Sequence, residues 1–165
     1  MAAYPFHGLA VTVLLTLAGG GNLATAAAQT DACALLTKAE AGTIIGQSIG
    51  DPVKGGSGEC HYGEEGASAE IVVYPMMLGF KSADEFHAFV VKDTERMNAR
   101  LKESMEKMGA TAKETAVEPV PRLGDAAYYV DPSLLVLSHG RVLNIVAGNR
   151  QQAVAVAEKV LPRFK

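Results

Sequence analysis

The 165-residue chain contains no tryptophan, only two cysteines, and no aspartate, glutamate, lysine or arginine in its first 28 residues. Its formal net charge is −3, which argues against nucleic acid as a partner because such proteins present a basic surface to the phosphates. The absence of tryptophan also makes a sugar-stacking site less attractive. No apolar run is long enough to cross a bilayer of about 30 Å, so we expect no permanent membrane anchor.

The sequence also lacks the spacings of common catalytic motifs. It has no Gly-x-Ser-x-Gly, no His-Glu-x-x-His and no cysteine cluster. The glycine-rich stretch at residues 51–58 is followed by neither Lys-Ser nor Lys-Thr, so a flexible surface loop is favoured over a phosphate site. We therefore predict a protein that is not an enzyme and that carries no cofactor.

The uncharged N-terminal stretch has the pattern of a cleaved secretory signal. An apolar run at residues 9–18 is followed by three glycines and an alanine tract, in which Ala26 and Ala28 fit the small-x-small rule of a cleavage site. The sequence thus predicts a signal peptide at 1–28 and a single domain at 29–165, located in the periplasm or outside the cell. A buried helix of the mature domain is the alternative. Asp31, so close to Cys33, argues against a lipid anchor.

Export decides how the two cysteines are interpreted. In an oxidising compartment two cysteines usually pair, so we predict a disulfide between Cys33 and Cys60 that ties the first helix to the first strand. The alternative is a reactive thiol beside His61. Adjacent residues of a strand point to opposite faces, so Cys60 and His61 cannot act together as nucleophile and base.

The dominant element of the domain is a long helix predicted at residues 82–109. Ser82 and Glu85 have capping-box spacing, and Gly109 suits a left-handed helix end. A period of 3.6 residues places an apolar stripe on one face, and we expect the rest of the domain to cover it. The stripe consists of Phe86, Val90, Met97, Leu101 and Met108.

Shorter elements flank this helix on both sides. Thr37 and Glu40 form a capping box for a first helix that ends at Gly46. Strands are predicted at 60–62, 68–74, 126–130, 134–138 and 142–147, with an apolar link at 75–79, a His139-Gly140 hairpin turn and a last helix started by Asn149. This order predicts an α+β fold, in which an antiparallel sheet of about five strands packs on one face against the long helix and the shorter terminal helices.

Three short motifs together resemble those of a known group of proteins. Residues 31–40 read D-A-C-A-L-L-T-K-A-E, residues 60–62 read C-H-Y and residues 123–128 read L-G-D-A-A-Y. The set resembles short exported bacterial proteins and lipoproteins with a D-x-C-x-L-L-T-x-x-E start and a late G-L-G-D-x-A turn. The resemblance implies an exported fold with a disulfide, and no particular activity. Arg122 stands where that turn has glycine, and the lipobox of the lipoprotein members is missing.

Our leading functional hypothesis is a small binding or interaction module for an unknown protein or small ligand. The binding surface is either an exposed sheet face or the cleft between sheet and long helix, with Tyr62, Tyr74, Tyr128 and Tyr129 as candidate contacts. Alternation allows only one of Tyr128 and Tyr129 to lie in the core. Helical geometry places Asp93 in the apolar stripe near Arg100, where it either forms an ion pair with Arg100 or Arg122, or marks the mouth of a groove with Arg100.

A site for a soft metal such as Cu(I) is the alternative function. Thioether and imidazole groups suit that ion, and Met105 and Met108 share one helix face. The candidate ligands are Met105, Met108, Met76, Met77 and His61. Burial of the methionines in the core is the simpler interpretation.

Overall fold

The computed structural model describes residues 30–64 and 69–165, so the predicted signal peptide at 1–28 lies outside the described residues. The α+β class is confirmed. In chain order the elements are a 3₁₀ turn at Ala32–Ala34, helix α1 (Lys38–Ile45), strands β1 (Val53–Lys54), β2 (Cys60–Tyr62) and β3 (Ile71–Gly79), helix α2 (Ala83–Lys107), strands β4 (Glu118–Pro119), β5 (Ala126–Val130), β6 (Ser133–Ser138) and β7 (Arg141–Val146), helix α3 (Arg150–Val160) and a 3₁₀ turn at Leu161–Arg163.

The strands form one antiparallel sheet in the order β1-β2-β3-β7-β6-β5-β4. Within the described residues it has seven strands rather than the five predicted, because β1 and β4 are two-residue edge strands, too short to show a periodic pattern. Residues 75–79 are not a link but continue β3. Pro75 is tolerated because β2 pairs only as far as Val73, which leaves this part of β3 with β7 as its described partner.

Helices cover both faces of this sheet, so the prediction that they pack on one face is wrong. On the first face, α1 and α3 bury the main core, which includes Leu134 and Val136 of β6. On the second face, Phe86 and Val90 of α2 pack in a smaller cluster with Leu137 of the same strand. Both sets of alternating β6 side chains are apolar, and this two-sided pattern requires a cover on each side.

Helix α2 begins as predicted but extends past the sheet. The Ser82 hydroxyl accepts a hydrogen bond from the Glu85 amide at 3.1 Å, and Gly109 follows the helix with φ +70°. Only the first half of the stripe is buried, and Thr94 takes the next core position. The expectation that the whole stripe is covered is wrong, because a 25-residue helix is about 37 Å long whereas six-residue strands span about 20 Å. Met97, Leu101 and Met108 are 44%, 39% and 68% exposed.

The first resemblance motif is built into the fold by hydrogen bonds and a disulfide. Asp31 caps the opening 3₁₀ turn, and Cys33 forms the predicted disulfide with Cys60, Cα to Cα 5.1 Å. Thr37 and Glu40 form both bonds of the capping box of α1. These residues therefore stabilise the N-terminal segment against the sheet, and their contacts account for the motif without a ligand.

The late Leu-Gly-Asp turn also has contacts that stabilise the fold. Gly124 has φ +57° and lies against the backbone of β6, while the Asp125 carboxylate accepts a hydrogen bond from the His139 amide at 2.8 Å. That amide belongs to the predicted His139-Gly140 turn, in which both residues have positive φ, as a two-residue hairpin turn of this kind requires. Arg122 adopts φ +66°, a conformation in which glycine is less strained.

An ion pair between Arg163 and Glu40 holds the C-terminal segment against α1, and it makes the stability of the fold depend on pH. Both Nη atoms of Arg163 donate to the Glu40 carboxylate at 2.8 Å, and Nη1 also donates to the Leu35 carbonyl. The Arg163 hydrogen bonds, with the Thr37 amide, lower the pKa of Glu40 from 4.5 to about 2. Since the folded state lowers this pKa, the ion pair stabilises the fold above pH 4.5, and that contribution disappears as the pH falls from about 5 to 2.

We therefore expect Glu40→Gln to lower the urea midpoint of unfolding at pH 6 and to flatten its fall between pH 5 and 2. Glu158→Gln, on the exposed side of α3, serves as the control. Parallel pH profiles for Glu40→Gln and the unmodified protein would contradict the assigned role of the pair.

Candidate functional site

A groove of about 220 Å³ lies between α2 and the second face of the sheet. Helix α2 contributes one wall, strands β3, β5, β6 and β7 contribute the floor, and the turn between β5 and β6 adds two more residues. The groove is lined by Met76, Phe89, Val90, Asp93, Thr94, Met97, Val130, Asp131, Pro132, Ser133, Leu135 and Asn144.

The helix wall follows from residue spacing. Phe89, Asp93 and Met97 are four residues apart and so share one face of α2. Phe89 is anchored by Phe80, with ring centroids 5.1 Å apart. The Thr94 hydroxyl donates to the Val90 carbonyl at 2.8 Å, so this buried polar group is satisfied within the helix. The wall thus offers aromatic, thioether and carboxylate groups at fixed positions.

The floor of the groove contains a buried polar atom without a partner. Asn144 lies between Tyr74 of β3 and Leu135 of β6 in the ladder. Its Oδ1 has no accessible surface and accepts no hydrogen bond from any described residue. The partial exposure of Asn144 therefore belongs to its other atoms. An unpaired acceptor of this kind costs about 1–3 kcal/mol. Because this oxygen has no accessible surface, a ligand in the groove would not reach it.

The groove carries negative charge at its rim. Asp93 and Asp131 are both exposed, and no lysine, arginine or histidine is among the lining residues. Asp131 accepts a hydrogen bond from the Tyr129 hydroxyl at 3.0 Å, which leaves its second oxygen available. Within residues 30–64 and 69–165, Asp93 has no ion pair, so neither of the two pairs considered for it forms.

The structure separates the tyrosines that were candidate contacts. Tyr62 is fully buried, its hydroxyl donates to the Leu36 carbonyl at 2.8 Å, and burial raises its pKa to about 12. Tyr129 is buried in the core of the first face, and Tyr128 stacks on His87 on the second. Tyr74 is half-buried beside Asn144. Of the predicted contacts, Asp93 lines the groove, Tyr74 adjoins it, and Arg100 is not part of it.

The candidate metal ligands are not brought together. Met76 of β3 lines the groove beside Val90 of α2. Met105 lies 15 residues after Val90 on α2, about 22 Å along the helix axis. Met77 is 82% exposed and follows Met76 on the opposite face of β3. His61 is engaged by carboxylates, with Nδ1 2.6 Å from Glu70, and this contact raises its pKa. The geometry therefore gives no support to a site built from this set.

Sequence reasoning missed most of the groove. Besides Asp93, which the helical pattern singled out, the visible signal was Asn144, a polar residue in the middle of the apolar run from Val142 to Val146. Alternation would have placed it on the face opposite the main core. No sequence pattern indicated that Pro132 and Ser133 would line the groove, because their place there depends on where the end of the sheet meets α2.

Comparisons of the chain with protein-family models, with curated proteins and with solved structures gave no match. The resemblance to short exported bacterial proteins thus stays a prediction. In the part of the chain that the structure describes, no helix combines the length and apolar character needed to span a membrane. What the fold and the site define is an α+β domain with a groove of about 220 Å³ beside its long helix.

Proposed function

We propose that this protein is an exported binding module without catalytic activity, and that the groove beside α2 is its ligand site. The observation that carries the proposal is the groove itself, an apolar recess with two exposed carboxylates in its lining. Ligand sites commonly combine an apolar lining with a few polar groups. An engineered protein cavity of about 150 Å³ accommodates benzene, so a single-ring compound or a short alkyl chain suits this volume.

The chemistry of the lining supports binding rather than catalysis. Its hydroxyl groups are those of Thr94 and Ser133, and the Thr94 hydroxyl is committed to the Val90 carbonyl. The lining includes no histidine, cysteine or lysine that would activate Ser133 as a nucleophile. The carboxylates of Asp93 and Asp131 are exposed at the rim, where charge recognition is the simplest role.

The disulfide supports the exported location. Cys60 is fully buried and bonded to Cys33, and such structural disulfides persist in oxidising compartments. The pattern at Ala26 and Ala28, together with this disulfide, favours the periplasm or the cell exterior. A small ligand met there, rather than a cytosolic metabolite, is the occupant that the proposal implies.

The proposal is tested by amide NMR of the protein exported under its own N-terminal segment, titrated with a set of single-ring compounds. We expect shifts concentrated at groove residues, above all Asn144, Ser133 and Phe89. Met97→Trp should fill the groove and weaken binding at least tenfold, since Met97 lies at the rim and is largely exposed.

Leu101→Trp is the matched control. Leu101 lies one turn further along the same helix face, is similarly exposed and does not line the groove. Equal binding to both tryptophan variants, or shifts scattered away from the groove, would overturn the proposed site.

A further inference from the structure

The groove has a charge preference, which we propose makes it selective for small organic cations that carry an apolar body, such as an arylalkyl ammonium ion. This inference rests on the proposed function and names the class of ligand. It depends on the rim carboxylates and on the apolar surface between them.

The two rim carboxylates come from different elements of the fold. Asp93 comes from α2 and Asp131 from the turn between β5 and β6, and both line the same groove. Neither has a lysine or arginine partner among the described residues. An ammonium group placed between them gains two attractive interactions, whereas an anion meets two repulsive ones. Charge complementarity therefore favours a cationic ligand.

An ammonium group matches the chemistry of this rim. It has three N–H donors and no acceptor, whereas the carboxylates of Asp93 and Asp131 offer only acceptor oxygens. The Tyr129 hydroxyl uses one oxygen of Asp131, and the other is available to such a donor.

The apolar lining accounts for the body of the ligand. Phe89 offers an aromatic ring, and Met76 and Met97 offer polarizable thioethers that adapt to differently shaped groups. Aromatic faces also attract organic cations directly. An inorganic cation would leave this surface unused, so an ammonium ion with a hydrocarbon or aromatic body is the better match.

The test compares three probes of similar shape in the same NMR titration, namely 2-phenylethylammonium, 2-phenylethanol and phenylacetate. At low ionic strength we expect the ammonium ion to bind about tenfold more tightly than the alcohol, and the carboxylate to bind most weakly. Asp93→Asn should weaken ammonium binding about threefold to tenfold and leave alcohol binding unchanged. Asp131→Asn keeps an oxygen for the Tyr129 hydroxyl and should act in the same way.

Glu95→Gln is the matched charge control. It removes the same charge from the same helix two residues away, on the exposed side that does not line the groove. An equal loss in Glu95→Gln, or equal affinity for alcohol and ammonium, would overturn the cation preference while leaving the groove as a ligand site. Failure of all three probes to shift groove residues would overturn both.

Discussion

Replacing Gly124 with alanine should lower the free energy of unfolding by about 3–5 kcal/mol, one of the two largest effects we expect in this protein. A Cβ at this position would lie 2.3 Å from the Leu137 carbonyl oxygen and 2.9 Å from Val136 Cγ1. The oxygen belongs to β6, an interior strand of the sheet, and accepts a hydrogen bond from the Asp125 amide, so it cannot move away without breaking that bond. The residue also has φ +57°, which adds strain for any L side chain.

The two causes can be separated with a second glycine. Gly109 at the end of α2 has φ +70°, but nothing lies within 4 Å of an added Cβ. Gly109→Ala therefore reports the backbone strain alone, about 1 kcal/mol. Urea unfolding of both variants is the measurement. Equal losses would show that the close approach of Gly124 to β6 contributes nothing.

Helix starts and ends were predictable because they depend on neighbouring residues. Thr37 with Glu40, Ser82 and Asn149 each cap the helix that the sequence assigned to them. The His139-Gly140 turn was equally local, since a two-residue hairpin with both φ values positive favours such a pair. In these cases, hydrogen bonds between residues three or four positions apart were enough to predict the element.

The layer arrangement was not predictable in the same way. The stripe on α2 shows which side of the helix is apolar, but not how far the sheet extends beneath it. Val90 is buried, whereas Leu101, on the same stripe, is exposed because the strands have ended. Likewise, the sequence does not show which face of the sheet α2 covers. That choice depends on α1 and α3 occupying the first face.

The groove also depends on how distant elements pack together, so only part of it could be predicted from the sequence. The cleft between sheet and long helix was one of two predicted surfaces, and Asp93 was singled out because a carboxylate in an apolar stripe needs a reason. Its counterpart Asp131 gave no such signal, because it simply lies between two predicted strands. The tyrosines were chosen for their chemistry, yet Tyr62 is used to hold the N-terminal segment. Chemistry alone does not separate a contact residue from a core anchor.

Removing the disulfide should cost about 3 kcal/mol, comparable with the Gly124 effect and a large share of the stability of a small domain. Cys33 and Cys60 are 27 residues apart, so the bond closes a loop that includes α1 and β1. In the chain-entropy model a loop of this size restricts the unfolded chain substantially. Besides the disulfide, this opening segment is held by the burial of Ala32 in the main core and by the Tyr62 hydroxyl, which donates to the Leu36 carbonyl at 2.8 Å.

We expect the Cys33→Ala/Cys60→Ala double variant to unfold at a lower urea concentration than the oxidised protein, and reductant to shift the oxidised protein toward the same midpoint. The double variant is its own control, because reductant should not affect it.

Intact mass spectrometry of the exported protein completes the measurement. The bond predicts a gain of two hydrogens on reduction, and cleavage after Ala28 predicts a chain beginning at Gln29. An unchanged midpoint under reductant, with the mass gain observed, would mean that the bond forms but does not stabilise the fold. Free thiols before reduction would contradict the bond itself and, with it, the strongest structural support for an oxidising compartment.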